Sequence, residues 1–159
     1  IVEQQLVTGI AHSRDEAKVT LLGVPDVPGV AAKVFSPLAD AAVNVDMIVQ
    51  NVSPDGKTTD ITFTIPRADL PRAADTLKKI ADLKYREMQT SDSVAKISVV
   101  GIGMKSHAGV ANTMFKTLAG KGINIQVIST SEIKISVLIE DDYVELAVRS
   151  LHAAYGLED

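Results

Sequence analysis

The residues best suited to chemistry lie in one loop. Asp26-Val27-Pro28-Gly29 follows an apolar run rich in β-branched residues, Val19–Val24, and precedes apolar residues that recur at helical spacing. Glycine lets a backbone approach a ligand closely, and the exposed N–H groups of a helix's first turn attract a carboxylate. Asp26 adds an anion that can accept an ammonium group. Positive backbone dipoles beside a carboxylate suit an α-amino acid zwitterion. A tight turn with a helix N-cap is the plainer reading of the same residues. Little else in the chain suggests chemistry. His12, His107 and His152 have no partners at metal or triad spacing. His152 falls near the end of a helix, where a cation is favoured, and His12 sits near a turn, so both read as structural or solvated. His107 lies in a loop and is the better ligand candidate. Gly101-Ile-Gly103 lacks the third glycine and the acidic partner of a dinucleotide fingerprint. No catalytic residue, metal site or cofactor is expected.

The elements that hold this loop come in two copies. Pro28–Asn51 aligns without a gap with Ala108–Ser131, and eight of the 24 positions are identical: Gly29, Val30, Ala31, Phe35, Leu38, Ala39, Asn44 and Ile48 recur 80 residues later. Lys18–Gly23 likewise matches Lys96–Gly101, and Asp60–Ile65 matches Lys134–Ile139. In the first copy, strand Val19–Val24 leads to a helix whose stripe is Val30, Ala31, Val34, Phe35, Leu38 and Ala39. Strands Val45–Val52 and Thr59–Ile65 flank the turn Ser53-Pro54-Asp55-Gly56. Asp69 then caps a second helix with buried Leu70, Ala73, Ala74, Leu77, Ile80 and Ala81, and Tyr85–Thr90 is a fourth strand. This order, β-α-β-β-α-β, is the ferredoxin-like unit, an antiparallel sheet with helices on one face. The second copy has strands Ile97–Ile102, Ile123–Ser131 and Ile133–Ile139, with helices near Gly109–Ala119 and Asp142–Tyr155. It ends without a fourth strand. Gln5–Ala11, ahead of the first copy, is a spare strand that would complete it. The expected class is α+β, with one domain at 17–92 and a discontinuous one at 1–16 plus 93–159. Pro37 falls inside the first helix, which predicts a kink or a solvent-facing position. Asn44 and Asn124 recur at the entry of the second strand, where a repeated amide suggests a role and Asn in a turn is the competing reading.

Composition agrees with a compact aliphatic scaffold. The 159 residues are 46% apolar but only 4% aromatic, with no Trp, so the cores must be aliphatic. Cysteine is absent, which excludes disulfides, thiol catalysis and thiolate metal sites. The 16 basic residues against 20 acidic ones give a net charge of −4, a poor match for nucleic acid or an anionic membrane. No apolar run is long enough to span a bilayer, and a cytoplasmic protein is expected.

Several motifs resemble one family. Thr8-Gly-Ile-Ala-His12, Gly23-Val-Pro-Asp-Val-Pro-Gly29, Asn44-Val-Asp-Met47, Gln50-Asn-Val-Ser53, Gly101–His107 and Ile128-Ser-Thr-Ser-Glu132 are similar to the tandem ACT domains of the aspartokinase regulatory (β) subunit. The resemblance implies a non-catalytic regulatory chain that binds an end-product amino acid and mediates feedback inhibition of aspartate phosphorylation. It also implies a homodimer of regulatory chains bound to catalytic α subunits as α2β2, with effectors held between facing ACT units. The threonine site would use Asp26, Pro28, Gly29, Ala31, Gln50 and Ser53, with Asn124, Ile125 and Gln126 from the facing unit. A second, lysine-linked site would use Met104, Ser106, His107, Gly109, Val110 and Ser131. Relatives more often carry H-P-G-V-T in that second loop, where this chain has Ala108 and Ala111. Threonine is therefore the expected effector ahead of lysine. An ACT-type sensor of another biosynthetic enzyme is the alternative. Ile1 in place of Met fits either a free subunit or part of a longer kinase chain.

Overall fold

The computed structural model describes residues 7–102 and 108–157. Along the chain run β1 (Val7–Pro25), α1 (Val30–Asp40), β2 (Ile48–Val52), β3 (Thr58–Ile65), α2 (Leu70–Lys78), β4 (Glu87–Gly101), α3 (Ala108–Gly120), β5 (Val127–Thr130), β6 (Lys134–Glu140) and α4 (Val144–Ala154). They form two compact units. Asp15–Asp92 is one, and the described parts of Ile1–Arg14 and Ser93–Asp159 form the other.

In the first unit the strand order is β2-β3-β1-β4, and β1 pairs antiparallel with β3, Leu21 opposite Ile61 and Val19 opposite Phe63. Arg86 N–H donates to Leu22 O at 2.7 Å, at the start of β4. The second unit has the order β1-β4-β6-β5, with Val99 opposite Ile135 and Ile97 opposite Val137. Its fourth strand is the amino-terminal part of β1, where Thr8 Oγ1 donates to Val100 O at 3.2 Å. Both units thus have the ferredoxin-like order, and the spare amino-terminal strand completes the second one. The first core joins Val19, Leu21, Val34, Leu38, Phe63 and Leu77. The second joins Ile97, Val99, Met114, Leu118, Val137 and Leu151. Phe35 meets Phe63 edge-on, with ring centroids 5.3 Å apart. Away from the helices, matching cross-strand hydroxyl pairs bond at 3.0 Å in Thr20–Thr62 and 2.7 Å in Ser98–Ser136.

Some local expectations change. Helix α1 runs unbroken through Pro37, whose side chain is half-buried. Strands β2 and β5 start later than hydrophobicity suggests, at Ile48 and Val127. The residues before β2 are held otherwise: Asp46 N–H donates to Thr64 O and Met47 N–H to Thr64 Oγ1, both at 3.0 Å. Asn44 and Asn124 consequently precede the strands and are exposed, rather than standing at a strand entry. Asp69 closes a 3-10 turn and makes no capping hydrogen bond with its side chain. It pairs instead with Arg72 at 3.0 Å.

Helices α1 and α3 end alike. Ala42 N–H donates to Ala39 O and Val43 N–H to Leu38 O, while Gly122 N–H donates to Ala119 O and Ile123 N–H to Leu118 O. This Schellman pattern needs a left-handed residue after the helix. Gly122 supplies it with φ 74°, but Ala42 takes φ 60° with a Cβ attached, which costs about 1–2 kcal/mol. Ala42→Gly should therefore stabilise the protein by about 1 kcal/mol, raising Tm by about 2–4 °C. A lowered Tm would show that Ala42 is not strained.

Candidate functional site

The Asp26 loop is built from the end of β1. The last strand pairs, Val24 with Thr59 and Pro25 with Thr58, follow a register shift after Leu21. Asp26 N–H then donates to Lys57 O at 3.0 Å, which ties the loop to the β2–β3 hairpin. Gly29 turns the chain into α1 with φ 89° and ψ −4°, a conformation that L side chains rarely adopt. A Cβ there would meet nothing within 4 Å, so the backbone is open to an approaching group. No side chain caps α1 and its first turn holds no acidic residue. The N-cap reading of Asp26 is thus set aside, and the helix leaves first-turn N–H groups without a side-chain acceptor. Asp26 is half-buried, while Pro28, Gly29 and Ala31 are exposed.

The hairpin completes this end of the first unit. Ser53 N–H donates to Thr58 O at 2.8 Å, and Thr58 N–H returns to Ser53 Oγ at 3.3 Å. Ser53 Oγ also donates to Asp55 Oδ1 at 2.5 Å, and Lys57 N–H donates to the same oxygen at 2.9 Å. These bonds hold the Asp55 carboxyl below its ordinary value of 3.8, the Ser53 hydroxyl contributing most and the Lys57 amide next. The structure therefore brings Asp26 and Ser53 into one hydrogen-bonded neighbourhood through Lys57 and Thr58. Sequence reading missed Asp55 and Lys57 as its fasteners. Gln50 sits opposite Ile61 on the core-facing side of β2, yet it is exposed because β2 is an edge strand. Ile48 and Val52 share that side and are 54% and 55% exposed. Asn44 instead lines a largely apolar cleft of about 300 Å³ with Phe35, Ala39, Ala42, Val43, Val45 and Ile48.

The second unit repeats the hairpin latch. Ser131 N–H donates to Lys134 O at 2.8 Å and Lys134 N–H to Ser131 Oγ at 3.2 Å, so Ser131 is the structural counterpart of Ser53. Four residues separate Ser53 from Thr58, but only two separate Ser131 from Lys134. Asn124 is exposed, Ile125 packs against the second core, and Gln126 N–H donates to Leu138 O at 2.8 Å. Gly109 is half-buried, and the Val110 side chain is buried in the core. The Val110 carbonyl accepts the Tyr155 hydroxyl at 2.5 Å. Met104, Ser106 and His107 lie outside the described residues.

Comparisons with known proteins agree with this architecture. Family models of the ACT domain match residues 18–82 and residues 97–155. The chain is 56% identical over 158 residues to the aspartokinase of Pseudomonas aeruginosa, covering 99% of this chain but 38% of that protein. It thus spans less than half the length of the curated relatives it matches. Among solved structures, it superimposes on a chain from the crystal structure of aspartokinase alpha and beta subunits with TM-score 0.84 and 48% identity, covering 95% of this chain and 99% of that one. The regulatory subunit of aspartate kinase from Thermus thermophilus gives TM-score 0.87 and 40% identity, with 93% and 98% coverage.

The Asp55 latch has a pH consequence. Its folded pKa lies below the unfolded one, so its contribution is complete above about pH 3.8 and is lost as pH falls through the lower folded value. Asp55→Asn should flatten the acid limb of stability against pH. An NMR titration of the parent protein should place the Asp55 midpoint below 3.8; a midpoint at or above that value would refute the latch.

Proposed function

The chain belongs to the tandem-ACT regulatory family of aspartate kinase, and from that premise we propose that it senses L-threonine and transmits feedback inhibition to the kinase. The observation that carries this reading is the uncapped start of α1 behind Gly29, with Asp26 beside it. The effector carboxylate accepts from the first-turn N–H groups, and its ammonium group donates to Asp26. Gln50 and Ser53 border the same end of the first unit. Asn124, Ile125 and Gln126 of a second copy close the site in a homodimer. Exposed Ile48 and Val52 on β2 and Ile128 on β5, 54%, 55% and 47% exposed, support burial of these edges on association. Lysine is the weaker effector, because Ala111 brings no hydroxyl to the start of α3.

The regulatory chain performs no phosphoryl transfer. It acts by binding one arrangement of the dimer better than another, and that dimer docks on the catalytic α subunits as α2β2. Moving the arrangement from 99:1 to 1:99 needs about 5.5 kcal/mol of differential binding. Two equivalent sites would each supply about half.

A thermal-shift panel of the amino acids tests the reading. At 100 times its dissociation constant, threonine should stabilise the fold by about 2.7 kcal/mol. No shift with threonine or lysine, alone or together, in a dimeric sample would sink the effector assignment. Asp26→Ala removes a charge-assisted bond of about 1.5–3 kcal/mol and should weaken threonine binding about 10- to 150-fold without unfolding the protein. Unchanged affinity would remove Asp26 from the site.

A further inference from the structure

A second cleft lies within the second unit. It holds about 500 Å³ and is lined by His12 and Arg14 of β1 and by Val144, Glu145, Val148, Arg149 and His152 of α4. Two periodicities build it. His12 and Arg14 are two apart on a strand and share a face. Ile10, two residues earlier on that face, packs against the second core. Glu145, Val148, Arg149 and His152 stand at i, i+3, i+4 and i+7, one face of a helix. Val144 and Val148 provide the apolar part of the lining, while Arg14, Glu145 and Arg149 are exposed.

The lining is cationic in a chain of net charge −4. Two guanidinium groups and two imidazoles face one carboxylate, with one guanidinium and one imidazole on each wall. A single planar carboxylate is satisfied by one guanidinium fork. Donors arriving from two walls suit an anion that carries oxygens in several directions. The volume exceeds what a bare anion fills and falls within the range of small-molecule sites. From this juxtaposition we propose that the cleft between β1 and α4 binds a phosphomonoester, with Arg14 and Arg149 clamping the phosphoryl oxygens. His12 and His152 add N–H donors, and Val144 and Val148 contact the organic body. Glu145 opposes the charge and limits affinity for anions in general. The site shares no residue with the amino-acid site, so the inference stands independently of that reading.

Calorimetric titrations of the whole chain at constant ionic strength test it, using AMP, inorganic phosphate and L-aspartate as probes. AMP should bind saturably with Kd near or below about 1 mM, and more tightly than inorganic phosphate. The double variant Arg14→Gln/Arg149→Gln should lose at least about tenfold in AMP affinity, and Glu145→Gln should gain about two- to fivefold. All three side chains are exposed, and unchanged Tm without ligand confirms intact folding of the variants. Absence of saturable AMP binding, equal AMP binding by the double variant, or tighter binding of L-aspartate than of AMP would each overturn the proposal.

Discussion

Two long strands satisfy the backbone of both units, and the remaining architecture follows from that constraint. The boundary between the units falls inside β1, between Arg14 and Asp15, and inside β4, between Asp92 and Ser93. Each unit needs four strands to bury one face of its sheet, and each obtains the fourth from a strand that began or ended in the other. A sheet edge without this partner would expose a row of unpaired N–H and C=O groups. Neither unit can be cut out of the chain at a loop and keep its sheet.

On this frame, the same fastenings are used twice with different residues. Ser53 and Ser131 latch the hairpins. Ala42 and Gly122 end the first helix of each unit. The two hairpins differ in length, and the longer one carries Asp55 and Lys57, the residues that hold the Asp26 loop in place. The repeat thus gives each unit the same scaffold. The candidate amino-acid site arises where the first copy has extra turn residues and a carboxylate.

The sequence made the repeat readable because core positions recur at a constant offset: Val34 with Met114 and Leu38 with Leu118 occupy equivalent places in the two cores. The spare strand was readable by counting. Boundaries were less so, because Val43–Met47 is as apolar as a strand yet bonds to Thr64 through a different pattern. Ala42 gave no sign of left-handed geometry by itself, although Gly122 at the matching place was a clue. Asp26 and Gly29 were recognisable as an open turn ahead of a helix. Their link to Ser53 was not, since it runs through the main-chain carbonyl of Lys57, which carries no residue-specific signal. The basic cleft escaped notice because its walls lie more than 100 residues apart and each histidine looks ordinary on its own.

Strand sharing also imposes a wait during synthesis. The part of β1 that belongs to the second unit ends at Arg14, and its neighbour in that unit begins at Ser93. At about 5–20 residues per second, the ribosome needs roughly 4–16 s to supply that neighbour. Through that interval a strand bearing Val7 and Ile10 stands unpaired beside the nascent chain. The charged run Arg14-Asp15-Glu16, which begins at its last residue, discourages premature pairing with another chain.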